Sequence, residues 1–114
     1  VRRGEVWLIN LDPTIGAEIK KTRPAVIVND DAIGILPLKI VVPITEWKDR
    51  YSVAPWMVQI EPDKQNKFEK VSAADTFQLR SIAQERFHRQ LGTLSNTIMQ
   101  NITRALALVL SIEQ

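Results

Sequence analysis

The sequence predicts a mainly β fold with α, a small β-barrel core followed by one packed C-terminal amphipathic helix. Three observations predict it. Short runs rich in Val, Ile and Trp recur along the first two thirds of the chain, each ended by turn residues. These runs are continuously apolar rather than alternating, as in strands covered on both faces. From Ser95 onward the apolar residues instead recur at three- and four-residue intervals, the period of a helix. A closed or half-closed barrel is the economical arrangement because it removes exposed strand edges.

The first strand is expected over Glu5–Leu11, where Asp12-Pro13 stops it because proline cannot continue a ladder. A second is expected over Pro24–Asn29, whose proline also pushes Arg23 into an extended conformation. Leu38–Ile44 is the third, with Pro43 marking a weak point near its end, and Trp56–Glu61 the fourth, ended by Pro62-Asp63. A weaker fifth strand runs from about Lys70 to Ala74, and Gln78–Ile82 reads as a sixth or as the lead into a helical turn. A short helix is expected over Ser81–Gln90, with Gly92 as its stop. Ser95 then caps the final helix, whose apolar stripe is Ile98, Ile102, Ala105, Leu106, Val109, Leu110 and Ile112.

The 114 residues suit one domain over 1–114, and an apolar fraction of 45% with 25% charged residues is that of a globular chain. Cysteine is absent, which removes disulfides, thiolate metal sites and thiol nucleophiles. With a single histidine, His88, no credible metal site is expected either, and no cofactor. The chain opens with Val1 and moves straight into a strand pattern, so no signal peptide is expected, and no apolar run approaches the ~20 residues that cross a bilayer. These features fit a cytoplasmic protein with no membrane partner. A net charge of +2 permits a phosphate-rich partner without demanding one. The distribution is more telling, since Lys20, Lys21 and Arg23 cluster in one loop and Lys48 and Arg50 in another.

The first of these loops, Asp12 to Arg23, is far longer than the roughly two to five residues a hairpin needs. It concentrates Glu18 and three cations beside a strand start, a setting in which loops often carry binding or catalysis. The bland alternative is a solvated loop with a weak Glu18–Lys or Glu18–Arg23 ion pair, worth under ~1 kcal/mol.

Four segments resemble the MazF/PemK toxins in order along the chain. They are RGEVWLINLDPTIGAE over Arg3–Glu18, KTRPAVIV over Lys21–Val28, VPIT over Val42–Thr45 and FQLRSI over Phe77–Ile82. The resemblance implies an SH3-like small barrel with a C-terminal helix, assembling as a homodimer whose groove binds RNA. The implied activity is metal-independent cleavage of single-stranded messenger RNA. In it the 2′-hydroxyl attacks the adjacent phosphate to leave a 2′,3′-cyclic phosphate and a 5′-hydroxyl. A cognate antitoxin is the implied inhibitor, and DNA is implied only indirectly, through a DNA-binding antitoxin.

That chemistry needs a proton acceptor at the 2′-oxygen, charge stabilisation at the phosphorane and a proton for the leaving oxygen. The resemblance places the catalytic arginine at Arg23, whose guanidinium can donate two bonds to phosphate oxygens, and the catalytic threonine at Thr45. It places the loop carboxylate at Glu18, either orienting Arg23, carrying a proton or supporting the loop. The ordinary alternatives are an ion pair for Arg23 and a β-branched strand residue for Thr45. Two positions depart from family patterns. Ala17 stands where some members carry histidine, and Phe77 where others carry Asp or Glu, so Phe77 is expected to stack a splayed base instead. Lys20, Lys21, Lys48 and Arg50 are expected to contact phosphates, with Phe77 and Gln78 completing the RNA-binding set.

His88 reads as a surface residue, Trp7 as core, and Trp47 and Trp56 as anchors of the loop between them. The same fold also serves a non-enzymatic branch that poisons DNA gyrase, expected to show an exposed aromatic near the C-terminus. Here no Trp, Tyr or Phe follows Phe87, and Arg23 and Thr45 are retained, which favours the nuclease. An inactive member that binds only RNA or antitoxin is a further alternative.

Overall fold

The computed structural model describes residues 1–33 and 36–113. Seven strands form one antiparallel sheet: β1 Glu5–Asn10, β2 Thr22–Ile27, β3 Leu38–Glu46, β4 Met57–Ile60, β5 Ser72–Asp75, β6 Arg80–Ala83 and β7 Phe87–Thr93. Their order is β4-β5-β3-β2-β1-β7, with β6 also paired to β3. One helix, α1 Asn96–Val109, closes the chain.

β3 organises the sheet. One of its edges pairs with β2 through Val41, Val42 and Pro43. The other pairs first with β6 from Leu38 to Val41 and then with β5 from Ile44 to Glu46. Pro43 therefore does not end the strand. Its missing N–H falls at the junction between the β6 and β5 ladders, where a central strand tolerates proline.

The continuous apolar run of β2 is explained by burial on both faces. Val26 and Val28 join one core with Val6, Val42, Ile44 and Ile60, which Met99, Ile102 and Ala105 of α1 cover. Ala25 and Ile27 point the other way, into a second core with Ile9, Leu11, Val41 and Ile82. Trp7, Phe87 and Ile19 of the long loop pack against that second core. Each fully buried Ile, Leu or Val contributes about 1.5–3 kcal/mol. Trp7 is thus core-associated, tilted against Phe87 at 5.7 Å and donating its Nε1–H to Glu5 at 2.9 Å.

The mainly β fold with a C-terminal helix is as expected, while the closed form of the barrel and the short helix are not. The sheet is not a closed barrel, because the gap between β4 and β7 is filled by the connection after β4 rather than by a ladder. The Thr93 N–H donates to the Gln65 carbonyl at 3.1 Å across that gap. Nor is Ser81–Gln90 a helix. It divides into β6, a single 3-10 turn over Gln84–Arg86 and the start of β7. The free edge of β1 recruits β7, with Leu8 opposite Arg89 and Trp7 opposite Gln90, and this pairing overrides local propensity. Gly92 stops no helix. It lies in β7 against the backbone of Gln65 and Asn66.

The final helix begins as expected, with the Ser95 hydroxyl accepting the Ile98 N–H at 3.2 Å. It ends at Val109, so Leu110 and Ile112 fall beyond it and are exposed. The turn there is closed by Ile112 N–H to Ala107 O at 2.8 Å, with Ser111 in the left-handed region at φ 56°.

Candidate active site

The loop from Leu11 to Thr22 is fastened rather than free. The Leu11 N–H donates to Lys21 O at 2.9 Å, and the Asp12 carboxylate accepts the Lys21 N–H at 3.1 Å and the Thr14 hydroxyl at 3.2 Å. Lys21 adopts φ 70° to make this closure, so its backbone shapes the turn into β2. From outside, Arg80 donates to Leu11 O at 3.1 Å, and Arg86 donates to the carbonyls of Asn10 and Asp12. Gln78 adds a two-sided clamp, accepting the Ile19 N–H at 2.6 Å and donating to Ala17 O at 3.0 Å. Arg3, the first residue of the RGE motif, is likewise a tie. It donates to Val28 O at the end of β2 and to Thr103 of α1.

The consequence is a fixed start for β2 and a defined place for Arg23. Arg23 is exposed, and its Nε donates to Lys20 O at 3.4 Å, which leaves the terminal nitrogens of the guanidinium without a partner among the described residues. Thr45 sits near the end of β3, opposite Ala73 of β5. Both residues line one cleft of about 570 Å³. Its apolar surface comes from Pro24, Ile44, Phe68 and Leu91, and its polar rim includes Ser72.

Four cations line this cleft, Arg23, Lys67, Lys70 and Arg89, against two carboxylates, Glu46 and Glu69. Lys70 and Glu46 approach to 3.9 Å and partly neutralise each other. The balance is therefore positive, in a concavity that a phosphodiester can enter. Sequence reasoning did not single out Lys67, Lys70 or Arg89. Arg89 could have been found by treating Phe87 to Leu91 as a strand alternating against β1.

The other expected site residues are distributed differently. Glu18, Phe77 and Gln78 line a separate cleft of about 320 Å³ with Ala17 and Arg80. Glu18 accepts the Ile15 N–H at 2.6 Å, and among the described residues it forms no ion pair with Arg23 or the loop lysines. Phe77 is 69% exposed and meets Trp56 edge-on at 6.2 Å, so an aromatic pair faces solvent beside this second cleft. Lys20 and Lys21 are exposed on the loop. Lys48 and Arg50 lie at the 3-10 turn after β3, where the Arg50 guanidinium sits 5.3 Å above the Tyr51 ring and Trp47 packs edge-on to the same ring. His88 is exposed on β7.

Behind the second cleft, Asp75 is buried, which raises its pKa above the usual 3.8. Hydrogen bonds from the Phe77 N–H and the Gln78 side chain act in the opposite direction. A carboxyl whose folded pKa is raised contributes stability below its unfolded value and loses it as pH climbs through the folded value. Asp75→Asn should therefore gain stability relative to the parent as pH rises from below 3.8, then hold a constant difference once Asp75 is ionised. Urea midpoints measured across this pH range check it, and a difference independent of pH would refute it.

Comparisons with known proteins identify the family and the fold. The sequence profile of the family described as PemK-like, MazF-like toxin of type II toxin-antitoxin system matches residues 2–110. Endoribonuclease MazF9 of Mycobacterium tuberculosis is 32% identical over 118 residues, covering 98% of this chain and 98% of that protein. Endoribonuclease MazF of Staphylococcus epidermidis is 34% identical over 113 residues, covering 98% and 92%. Among solved structures, MazF of Deinococcus radiodurans superposes with a TM-score of 0.80 at 21% identity, over 98% of this chain and 97% of that one. A mycobacterial endoribonuclease in complex with its cognate antitoxin gives 0.80 at 18%, over 100% and 98%, which shows a shared fold. With the family profile spanning nearly all of its length, the chain belongs to the PemK-like, MazF-like toxins of type II toxin–antitoxin systems.

Proposed function

We propose that this chain is an endoribonuclease toxin that cleaves single-stranded RNA in the Arg23–Thr45 cleft without a metal ion. The observation that carries this reading is that both residues line one concavity with an excess of positive charge. In the proposed reaction the 2′-oxygen bonds to phosphorus as its proton passes to a base. The P–O5′ bond then breaks, and the leaving oxygen takes up a proton. The products are a 2′,3′-cyclic phosphate and a 5′-hydroxyl. Arg23 supplies paired N–H donors to the phosphate oxygens as their charge grows, which is the role a metal would otherwise play. The Thr45 hydroxyl donates to the same group from the opposite strand. Thr45 is a hydrogen-bond donor here, since its hydroxyl is a poor proton carrier.

Glu18 enters this reading as a support for the loop. Its carboxylate is engaged by the Ile15 N–H and lies in the neighbouring cleft. Glu18→Gln is expected to keep the shape of the pH–rate profile while lowering kcat/KM several-fold through a looser loop. A profile that loses its acidic limb in this variant would instead make Glu18 the proton acceptor.

The exposed Phe77–Trp56 pair is suited to stack an unpaired base, and Lys20, Lys21, Lys48 and Arg50 supply outlying positive charge. Gln78 serves RNA through the loop that its amide clamps. The proposed working form is a cytoplasmic homodimer, silenced when a flexible segment of a cognate antitoxin fills the groove. Two fold neighbours support the partner, since they are described as an endoribonuclease with its cognate antitoxin and as MazE-MazF. Contact with DNA would come only through the antitoxin. Incubating the purified protein with single-stranded RNA in EDTA tests the nuclease reading. Cleavage is expected, and its absence across diverse sequences would overturn it.

A further inference from the structure

Arg89 and Arg23 line the same cleft from two different strands. Across the sheet, Leu8 of β1 stands opposite Pro24 of β2 on one side and Arg89 of β7 on the other. Residues opposite one another project to the same face, so Pro24 and Arg89 share a face two strand spacings, or roughly 10 Å, apart. Arg23 alternates with Pro24 and starts on the other face, but at the exposed beginning of β2 its long side chain still lines the cleft that Pro24 and Arg89 share.

The electrostatics of this pairing are unbalanced from within. Among the described residues the Arg89 guanidinium has no hydrogen-bond or ion-pair partner, and Lys70 already approaches the nearby Glu46. With four cations against the two carboxylates Glu46 and Glu69, the cleft keeps an excess of positive charge that an outside anion can neutralise. One phosphate held by Arg23 and Thr45 would leave Arg89 unused. A chain carrying one negative charge per nucleotide satisfies both.

We propose that Arg89 binds the backbone phosphate adjacent to the scissile one and so sets the register of the RNA strand in the cleft. The inference rests on the Arg23–Thr45 reading for where the scissile phosphate lies. Arg89 acts as a binding and positioning residue, so its effect belongs to substrate affinity rather than to the chemical step. A contact to phosphate also leaves a specific signature, because binding releases a counterion and thereby depends on salt.

The test uses the full chain with an RNA oligonucleotide whose 2′-hydroxyls are all methylated, which binds without being cut because the attacking oxygen is blocked. Its Kd is measured from about 50 to 300 mM KCl for the parent, Arg89→Gln and Arg89→Lys. In Arg89→Gln, Kd at low salt is expected to rise several-fold, and the slope of log Kd against log salt to flatten by about 0.7, the loss of one single-strand phosphate contact. Arg89→Lys should restore the slope. On cleavable RNA, Arg89→Gln should raise KM and leave the saturated kcat close to the parent's. An unchanged slope in Arg89→Gln, or a slope lost equally in Arg89→Lys, would overturn the proposal. Because Kd is read on an uncut strand, this result is separable from the nuclease reading, which is tested by cleavage itself.

Discussion

Arg23→Ala is expected to lower kcat on single-stranded RNA by roughly 10²–10³-fold, the usual cost of removing one preorganised donor to a developing anion. Its thermal midpoint should stay close to the parent's, because Arg23 is exposed and among the described residues its side chain bonds only Lys20 O, at 3.4 Å. Loss of rate without loss of fold is the signature of a group acting on the substrate. Arg23→Lys should recover only part of the rate, since an ammonium keeps the charge but loses the paired donors that match two phosphate oxygens. Single-turnover cleavage with a labelled oligonucleotide reads both variants. An Arg23→Ala protein that cuts at the parent's rate would remove the guanidinium from the chemistry. Thr45→Val should give a smaller fall in the same direction, as it removes one neutral donor from the other side of the cleft.

Gly92→Ala is expected to destabilise the fold by about 1–3 kcal/mol, through overpacking of backbone against backbone. A Cβ at this position would lie 2.6 Å from the carbonyl oxygen of Asn66 and 2.7 Å from that of Gln65. Neither is the end of a flexible side chain, so the connection after β4 must move. That connection is held tightly, since Asn66 is buried and its amide donates to Glu61 O at 2.9 Å while accepting the N–H groups of Asp63 and Phe68. Moving it would also shift Lys67 and Phe68, which line the Arg23–Thr45 cleft. The variant should therefore show a lower urea midpoint together with a raised KM for RNA. A midpoint equal to the parent's would mean that the strand and the connection are not in the contact described.

The strands with continuous apolar runs were legible because burial on both faces leaves a local mark, as Ala25, Val26 and Ile27 of β2 demonstrate. The capped helix was legible for the same reason, its N-terminus announced by Ser95 and its face by Ile98, Ile102 and Ala105. β7 left no such mark. Its residues are exposed or half-buried, and its identity as a strand comes from pairing with β1, more than 80 residues earlier in the chain at Glu5↔Thr93. Reading Gly92 as a helix stop failed for a related reason. The close approach that calls for glycine there is to Gln65 and Asn66, a contact the local sequence does not display.

The candidate site divides in the same way. Arg23, Thr45 and Glu18 are singled out by the sequence because they sit in ordered motifs. That Arg23 and Thr45 share a cleft while Glu18 lines another follows only from the folded register. Arg80 and Gln78 belong to the FQLRSI motif. Their side chains hold the loop, with Arg80 on Leu11 O and Gln78 on Ala17 and Ile19. Lys67 and Arg89 lie in no motif, and strand pairing together with a packed connection is what brings them to the cleft.

Attack by the 2′-hydroxyl is tested by chemical identification of the RNA ends produced in EDTA, using an oligonucleotide and its copy with a single 2′-deoxy sugar at the cut position. A 2′,3′-cyclic phosphate and a 5′-hydroxyl are expected from the first and no cut at that position in the second. A 5′-phosphate end, or cleavage at the 2′-deoxy position, would contradict that attack.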